Sequence, residues 1–250
     1  MNIDKEHIGI AILSTDRPKC LQRLLKSIED HSNTDGLCVL VIDDSTDPDT
    51  CESVANQYPW TVFTHTGERI GIAANTNRAM WAMTSYPYHM IMNNDVEVMR
   101  IGWQYYYFLA MEQTGFHHFC FQQEGLWGAG TKKRPEVINE YYKRKIKTIA
   151  NSPQGAILTY DQKAFSTVGY FDAHSFIGYG KSHWDWSFRI SESGIQPKGI
   201  HDVVGSNRYF KVHDELCTTP TTERLKDYQK NGLVFDNLRN VPNRIYIDYA

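Results

Sequence analysis

The sequence predicts an α/β fold with a mostly parallel central sheet and helices on both faces, and three observations lead there. Short apolar runs alternate with amphipathic stretches through the first hundred residues: Ile8 to Leu13, "CVLVIDD", "WTVFTH", and His89 to Met92. Runs that are apolar throughout, rather than at every second residue, belong to strands buried on both sides. Polar residues then follow the strands, with Asp16, Asp43, Asp44 and Asp95 each just past an apolar run. Ligands of such sheets bind beyond the carboxyl ends of the strands.

The elements follow in order. Asp16 is a candidate N-cap and Pro18 stands near the first helical position, where a missing N–H costs nothing. Leu21, Leu24, Leu25 and Ile28 then recur at i, i+3, i+4 and i+7, which gives a helix one buried face. Further helices are expected over Val54 to Tyr58 and Ala73 to Met83. The fourth strand stops inside "MIMNNDVEVM", where Asn93, Asn94 and Asp95 interrupt an apolar run that resumes at Val96.

Past Ile101 come a helix, "GWQYYYFLAMEQ", a strand, "HFCF", and a glycine-rich, basic stretch from Gly125 to Lys147. Lys132, Lys133, Arg134, Lys143, Arg144, Lys145 and Lys147 crowd it, either as a solvated helix face or loop or as an anion-binding flank. "GAILTY" and a helix over Gln162 to Val168 precede "GYFD" and "YGKSHWDWSFRISESG", a loop leading into a helix that Gly194 stops. A last helix from Thr221 is expected to end near Asn231, before Gly232. The expected organisation is one domain over 1–220, divided into halves at 8–100 and 101–220, with a helix and tail at 221–250.

Composition narrows the class. A chain of 250 residues can bury a sizeable core. A net charge of −3 argues against a protein that coats nucleic acid. Five cysteines without a CxxC pair suggest free thiols in a reducing compartment, and no apolar stretch approaches the roughly 20 residues that span a bilayer. A cytoplasmic location is the expectation. Fifteen tyrosines and six tryptophans suit either ring-stacking ligands or an aromatic core.

Short carboxylates at strand ends, beside an amide, suit a hard divalent cation such as Mg²⁺ or Mn²⁺, which takes much of its shell from substrate phosphate. No Walker A loop is present, and the "GAG" at 128–130 is no dinucleotide fingerprint. Phosphate is therefore expected on a metal rather than in a glycine nest.

In this order the pieces "IAILSTDRPKCLQRLLKSI", "LVIDDSTD", "RIGIAANTNRAM", "MIMNNDVEV", "GYFDAHSFIGYGKSHWDWSFR" and "YFKVHDE" resemble the family-2-type inverting glycosyltransferases of the GT-A fold, across about residues 8–215. The resemblance implies a nucleotide-diphosphate sugar donor, most often a UDP-sugar. Thr15, Asp16 and Arg17 would line the nucleotide pocket; Asp43, with Asp44 beside it, would accept from the base N–H; Gly71, Asn77 and Arg78 would form the donor-side helix. Asn93, Asn94 and Asp95 occupy the place of the family's DxD element, one carboxylate short. Asp95 would be the metal ligand, with Glu97 as helper and His213 as a third ligand.

The family also implies a general base that takes the acceptor hydroxyl's proton as that oxygen attacks the anomeric carbon. Counted back from Arg189, the family's acidic pair falls on Ser182 and His183, and Asp185 matches a further acidic position. Asp185 is the expected base, with His183 as the other candidate and an ion pair with Arg189 at i+4 as Asp185's structural alternative. Trp184, Trp186 and Tyr179 are the expected acceptor-stacking residues. The acceptor would be a glycan or a lipid-linked sugar, with peripheral membrane contact, or a polyanion such as hydroxymethylated DNA held by the basic stretch. A sugar-nucleotide-binding module without catalysis, and a nucleotidyltransferase, are the rival classes.

Overall fold

The computed structural model describes residues 3–123, 137–149, 155–213 and 221–247. The chain opens with β1 (Ile8–Ser14), α1 (Pro18–Asp30), β2 (Val39–Asp43), α2 (Asp49–Ala55), β3 (Thr61–His65), α3 (Ile72–Ala82) and β4 (Tyr88–Asn93). It continues through β5 (Val96–Val98), α4 (Trp103–Thr114), β6 (His118–Cys120), β7 (Val137–Tyr141), β8 (Arg144–Ile149), β9 (Ile157–Asp161) and α5 (Gln162–Val168). It ends with α6 (Ser182–Glu192), β10 (Ile200–Val203), β11 (Phe210–Val212) and α7 (Thr221–Leu238).

Six strands form the main sheet in the order β3-β2-β1-β4-β9-β6. The four N-terminal strands are parallel, and β9 and β6 are antiparallel to their neighbours. Successive strand residues point to opposite faces, so a strand buried on both sides must be apolar at every position. In β1, Ile10 and Ile12 join the core against α1 and α4, while Ala11 and Leu13 join the core against α3 and α6. Leu21, Leu24, Leu25 and Ile28 of α1 are all buried, each contributing about 1.5–3 kcal/mol.

The order of strands locates the binding crevice. From β1 the chain steps to β2 and β3 on one side, then returns to place β4 on the other, so the switch point lies between β1 and β4. Register aligns the carboxyl ends there: Ser14 pairs with Asp43, Leu13 with Asn93, and Asp43 with His65. Two smaller sheets flank this one, β10-β8-β7 and the pair β11-β5, in which Val96, Glu97 and Val98 face Val212, Lys211 and Phe210.

Three local expectations are corrected. Arg17, not Asp16, caps α1, because Asp16 turns into the left-handed region (φ 43°) and accepts from the Thr46 N–H instead. The second helix lies earlier than Val54 to Tyr58, with Asp49 and Glu52 in its first turn, where the helix dipole favours them. Gly232 does not stop α7; a helical glycine costs only about 1 kcal/mol, and Phe235 beyond it packs edge-on against Trp184 and Phe188.

Candidate active site

The three strand-end loops on the donor side are stitched together by the polar residues that follow the strands. The Asp16 N–H donates to Ser45 Oγ at 2.6 Å, and the Asp16 carboxylate accepts from the Thr46 N–H and hydroxyl and pairs with Arg69. Arg69 also donates to Thr15 Oγ1 at 3.3 Å. Asp44 Oδ2 accepts from the Gly71 N–H at 3.1 Å, which ties the end of β2 to the start of α3. Burial pushes the Asp44 carboxyl above its usual range, against hydrogen bonds from Thr15 and Gly71 that hold it down. Gly71 itself sits at φ 86°, a conformation that favours glycine.

Asp43 is used differently from expectation. It is 0% exposed, and its oxygens accept from Ser45 Oγ at 2.7 Å and the Ser45 N–H at 3.0 Å. These contacts shape the turn after β2. Asn77 is likewise structural: its amide donates to the Phe171 carbonyl and its oxygen accepts from the Phe171 N–H, clamping α3 to the loop after α5. Arg78 bonds Asn75 and Thr64.

At the end of β4 the Asn93 N–H donates to Ala156 O at 2.8 Å, and buried Asn94 donates to Ser14 Oγ and, through its backbone, to Leu13 O. Those bonds aim Asp95 at the crevice, where Arg17 Nη1 lies 3.5 Å from its Oδ2. The His213 N–H donates to Asp95 O at 3.0 Å, extending the β5–β11 pair, and His213 Nε2 lies 2.6 Å from Glu97 Oε2. Asp95, Glu97 and His213, 116 residues apart at the extremes of the Glu97–His213 contact, are thus brought together.

Among the described residues no three His, Cys, Asp or Glu side chains converge as a ready ligand set. The residues still fit a Mg²⁺ or Mn²⁺ ion, since such ions are ordinarily held by one or two protein groups together with substrate phosphate. His213 Nε2 meets the Glu97 carboxylate, a contact through which a carboxylate can orient a histidine whose other ring nitrogen is a ligand. Glu97 therefore stands behind His213 rather than beside Asp95.

On the acceptor side the expectation for Asp185 is corrected. Asp185 is 0% exposed, and its carboxylate is held by Arg189 Nε at 3.0 Å and by Arg244. A buried carboxylate engaged by two guanidinium groups is not open to an acceptor hydroxyl. Trp186 is also 0% exposed; it donates to Gly169 O at 2.8 Å and stacks on Phe171, so it belongs to the core.

His183 is placed differently. Its ring packs on Gly155, where a Cβ would lie 2.6 Å from the imidazole Cγ, so only glycine lets it approach. The next residue, Ala156, is the one that receives the Asn93 N–H. His183 therefore adjoins the segment leading into β9, whose Ala156 bonds the end of β4. Trp184 is partly buried, with the Lys181 ammonium 3.1 Å from its ring centre, and Tyr179 lies under Arg224.

Two members of the basic stretch, Arg144 and Lys147, have partners within the fold, while Lys143 and Lys145 are exposed. Lys147 is buried and pairs with Asp202 at 3.4 Å, Arg144 bonds Gln113, and Lys145 stands opposite Glu140 in the β7–β8 hairpin. Lys132, Lys133 and Arg134 lie outside the described residues. Sequence reasoning missed Ser45, Arg69, Gly155, Asp227, Asn231 and Arg244. Of these only Gly155, next to an apolar run, carried a local sign.

Comparisons with known proteins agree with this geometry. The profile of glycosyl transferase family 2 matches residues 10–169. No curated protein sequence matches the chain. Among solved structures, a mannosyltransferase from Pyrobaculum calidifontis in complex with GDP-Man and Mn²⁺ superposes with a TM-score of 0.53 at 16% identity, over 78% of this chain and 55% of that one. TarS from S. aureus in complex with UDP gives 0.58 at 13% identity, over 91% and 64%. GalNAc-T7 with UDP, GalNAc and Mn²⁺ gives 0.57 at 11% identity, over 81% and 43%. The chain thus spans from under half to under two-thirds of these structures, which share its fold. No helix among the described residues is long and apolar enough to cross a membrane. With more than half its length inside the family profile, a parallel sheet whose switch point gathers Asp44, Asn93 and Asp95, and a GT-A architecture around them, the chain belongs to glycosyl transferase family 2.

Proposed function

We propose that the chain transfers a sugar from a nucleotide-diphosphate donor, a UDP-sugar, to an acceptor hydroxyl with inversion, using Mn²⁺ or Mg²⁺. The observation that carries the reading is the convergence at the β1/β4 crevice of Asp95, Arg17 and the Glu97–His213 pair, with His183 adjoining the segment whose Ala156 bonds the end of β4. The nucleotides named with the P. calidifontis and S. aureus structures, and the Mn²⁺ named with two of the neighbours, support the donor class and the cation.

The pocket formed by Thr15, Asp16, Asp44 and Arg69 would hold the nucleoside, with Gly71 allowing close backbone approach. Asp95 and His213 would hold the cation, which when bound neutralises charge on the leaving diphosphate. Arg17, already beside Asp95, would add a second positive charge toward the leaving diphosphate. His183 would take the acceptor's proton as its oxygen forms the new bond to the anomeric carbon and the bond from that carbon to the diphosphate breaks. An imidazole nitrogen can accept that proton.

For the acceptor, a hydroxyl on a glycan or lipid-linked sugar is the reading kept. The test is a thermal-shift screen of nucleotide sugars with and without Mn²⁺, followed by NMR of the product's anomeric configuration. Metal-dependent stabilisation by a UDP-sugar and an inverted product are expected. Stabilisation without any turnover, to water or to sugar acceptors, would instead favour a binding module.

A further inference from the structure

The loop between residues 177 and 181 leads directly into the helix that carries His183, and it has no strand or helix partner of its own in the main sheet. Three of its residues have positive φ: Gly178 at 73°, Gly180 at 89° and Lys181 at 71°. For lysine this conformation costs about 1 kcal/mol or more, and it persists only where the surroundings over-determine it.

Those surroundings are α7. Asn231 is the one fully buried residue of this helix among those whose side chains are described. Its amide nitrogen lies 3.0 Å from Ile177 O, 3.1 Å from Tyr179 O and 3.0 Å from Gly180 O. One turn earlier, Asp227 Oδ2 accepts from the Tyr179 N–H at 3.1 Å. A Cβ at Gly178 would overlap the Asp227 carboxylate, and one at Gly180 would lie 2.8 Å from the Tyr228 ring. The Lys181 ammonium then sits between Trp184 and Tyr228, 3.1 and 4.3 Å from their ring centres.

A helix docked to complete a hydrophobic core buries leucines, yet Leu225 and Leu233 of α7 are exposed and its buried residue is an asparagine spent on one loop's carbonyls. The loop's other edge approaches the donor side, with Gly178 N 3.9 Å from where a Gly71 Cβ would stand. We propose that α7 is the positioning element of the acceptor side: Asn231 and Asp227 fix the 177–181 loop in the conformation that presents His183. This rests on the reading of His183 as base, and it makes residues 221–238 part of the catalytic unit rather than an appendage to it.

The test compares Asn231→Ala, Asn231→Asp, Asp227→Ala and Asp227→Asn in the full chain. The readouts are amide hydrogen exchange over residues 177–184, UDP affinity with Mn²⁺ by calorimetry, and release of UDP from a UDP-sugar. Asn231→Ala is expected to deprotect the loop and lower kcat by at least about tenfold, with UDP affinity within about twofold of the starting value. Asn231→Asp, equal in shape but without N–H donors, should behave the same. Asp227→Ala should lower kcat and Asp227→Asn, which keeps an acceptor for the Tyr179 N–H, should restore it; this pair decides the matter if the Asn231 variants fail to fold. Unchanged kcat in the folded variants, or UDP affinity falling in step with kcat, would overturn the proposal. No UDP binding by the unaltered chain would overturn the functional reading instead, while loop exchange would still show whether α7 orders the loop.

Discussion

The donor edge and the acceptor edge of this molecule are built by opposite means. At the donor edge, Asp16, Asp44 and Asp95 each sit one or two residues past a buried parallel strand that in one case ends on Asn93, and the strand register aligns them. At the acceptor edge, His183 depends on a loop with three positive φ values, held by α7 from some fifty residues away in sequence. The first edge is fixed by local sequence through regular structure. The second is fixed by tertiary contacts between segments that carry little signal alone.

That contrast can be broken or sharpened by substitution. The largest effect is expected for Asp95→Ala, which should abolish turnover while the melting temperature stays within a few degrees, because Asp95 contributes a side chain to the crevice and little to the core. Loss of folding instead would make Asp95 a structural residue and dissolve the donor-edge account. Next, His183→Asn should lower kcat by about 10² or more and leave donor affinity intact; a variant at full rate would send the search for the base elsewhere.

Asp185→Asn should act on stability rather than chemistry. Removing one member of a buried ion pair costs about 3–5 kcal/mol, here by leaving Arg189 and Arg244 facing a neutral amide. Urea unfolding would measure it, and an unstable protein with normal kcat per folded molecule is the expected result. A fully stable variant with lost turnover would restore Asp185 as the base.

A smaller effect comes from pH. Burial holds His118 and His89 at about 4, well below the ordinary value of 6.5. The unfolded chain therefore binds more protons than the folded one between those values, so stability is full above about 6.5 and falls as pH drops toward 4. At pH 5 each histidine should cost about 2 kcal/mol relative to pH 7, and replacing His118 by Gln should flatten part of that slope in denaturant melts. Smallest of all, Lys143→Ala and Lys145→Ala should leave transfer unchanged within about twofold. A salt-sensitive loss of acceptor binding there would revive the polyanion reading.

The same contrast explains what could be read in advance. The sheet was legible because fully apolar runs have one sensible home, and Asp95, Glu97 and His213 were legible as a group because the resemblance supplied contacts that spacing cannot. Asp185 was misread because a carboxylate flanked by two tryptophans looks alike in a binding site and in a core. Only Arg244, 59 residues on, shows which it is. Asp43 was misread because an aspartate that closes its own turn through Ser45 has the same sequence as one that faces a ligand. Asn231 could not be found at all, since one asparagine in a polar helix has no mark until its three carbonyl partners are folded against it.

The division between the edges is tested most directly by titrating UDP into the unaltered chain, Asp95→Ala and His183→Asn, each with and without Mn²⁺. Metal-dependent UDP binding is expected in the unaltered chain and in His183→Asn, and its loss in Asp95→Ala. Binding that survives in Asp95→Ala, or disappears in His183→Asn, would contradict the account.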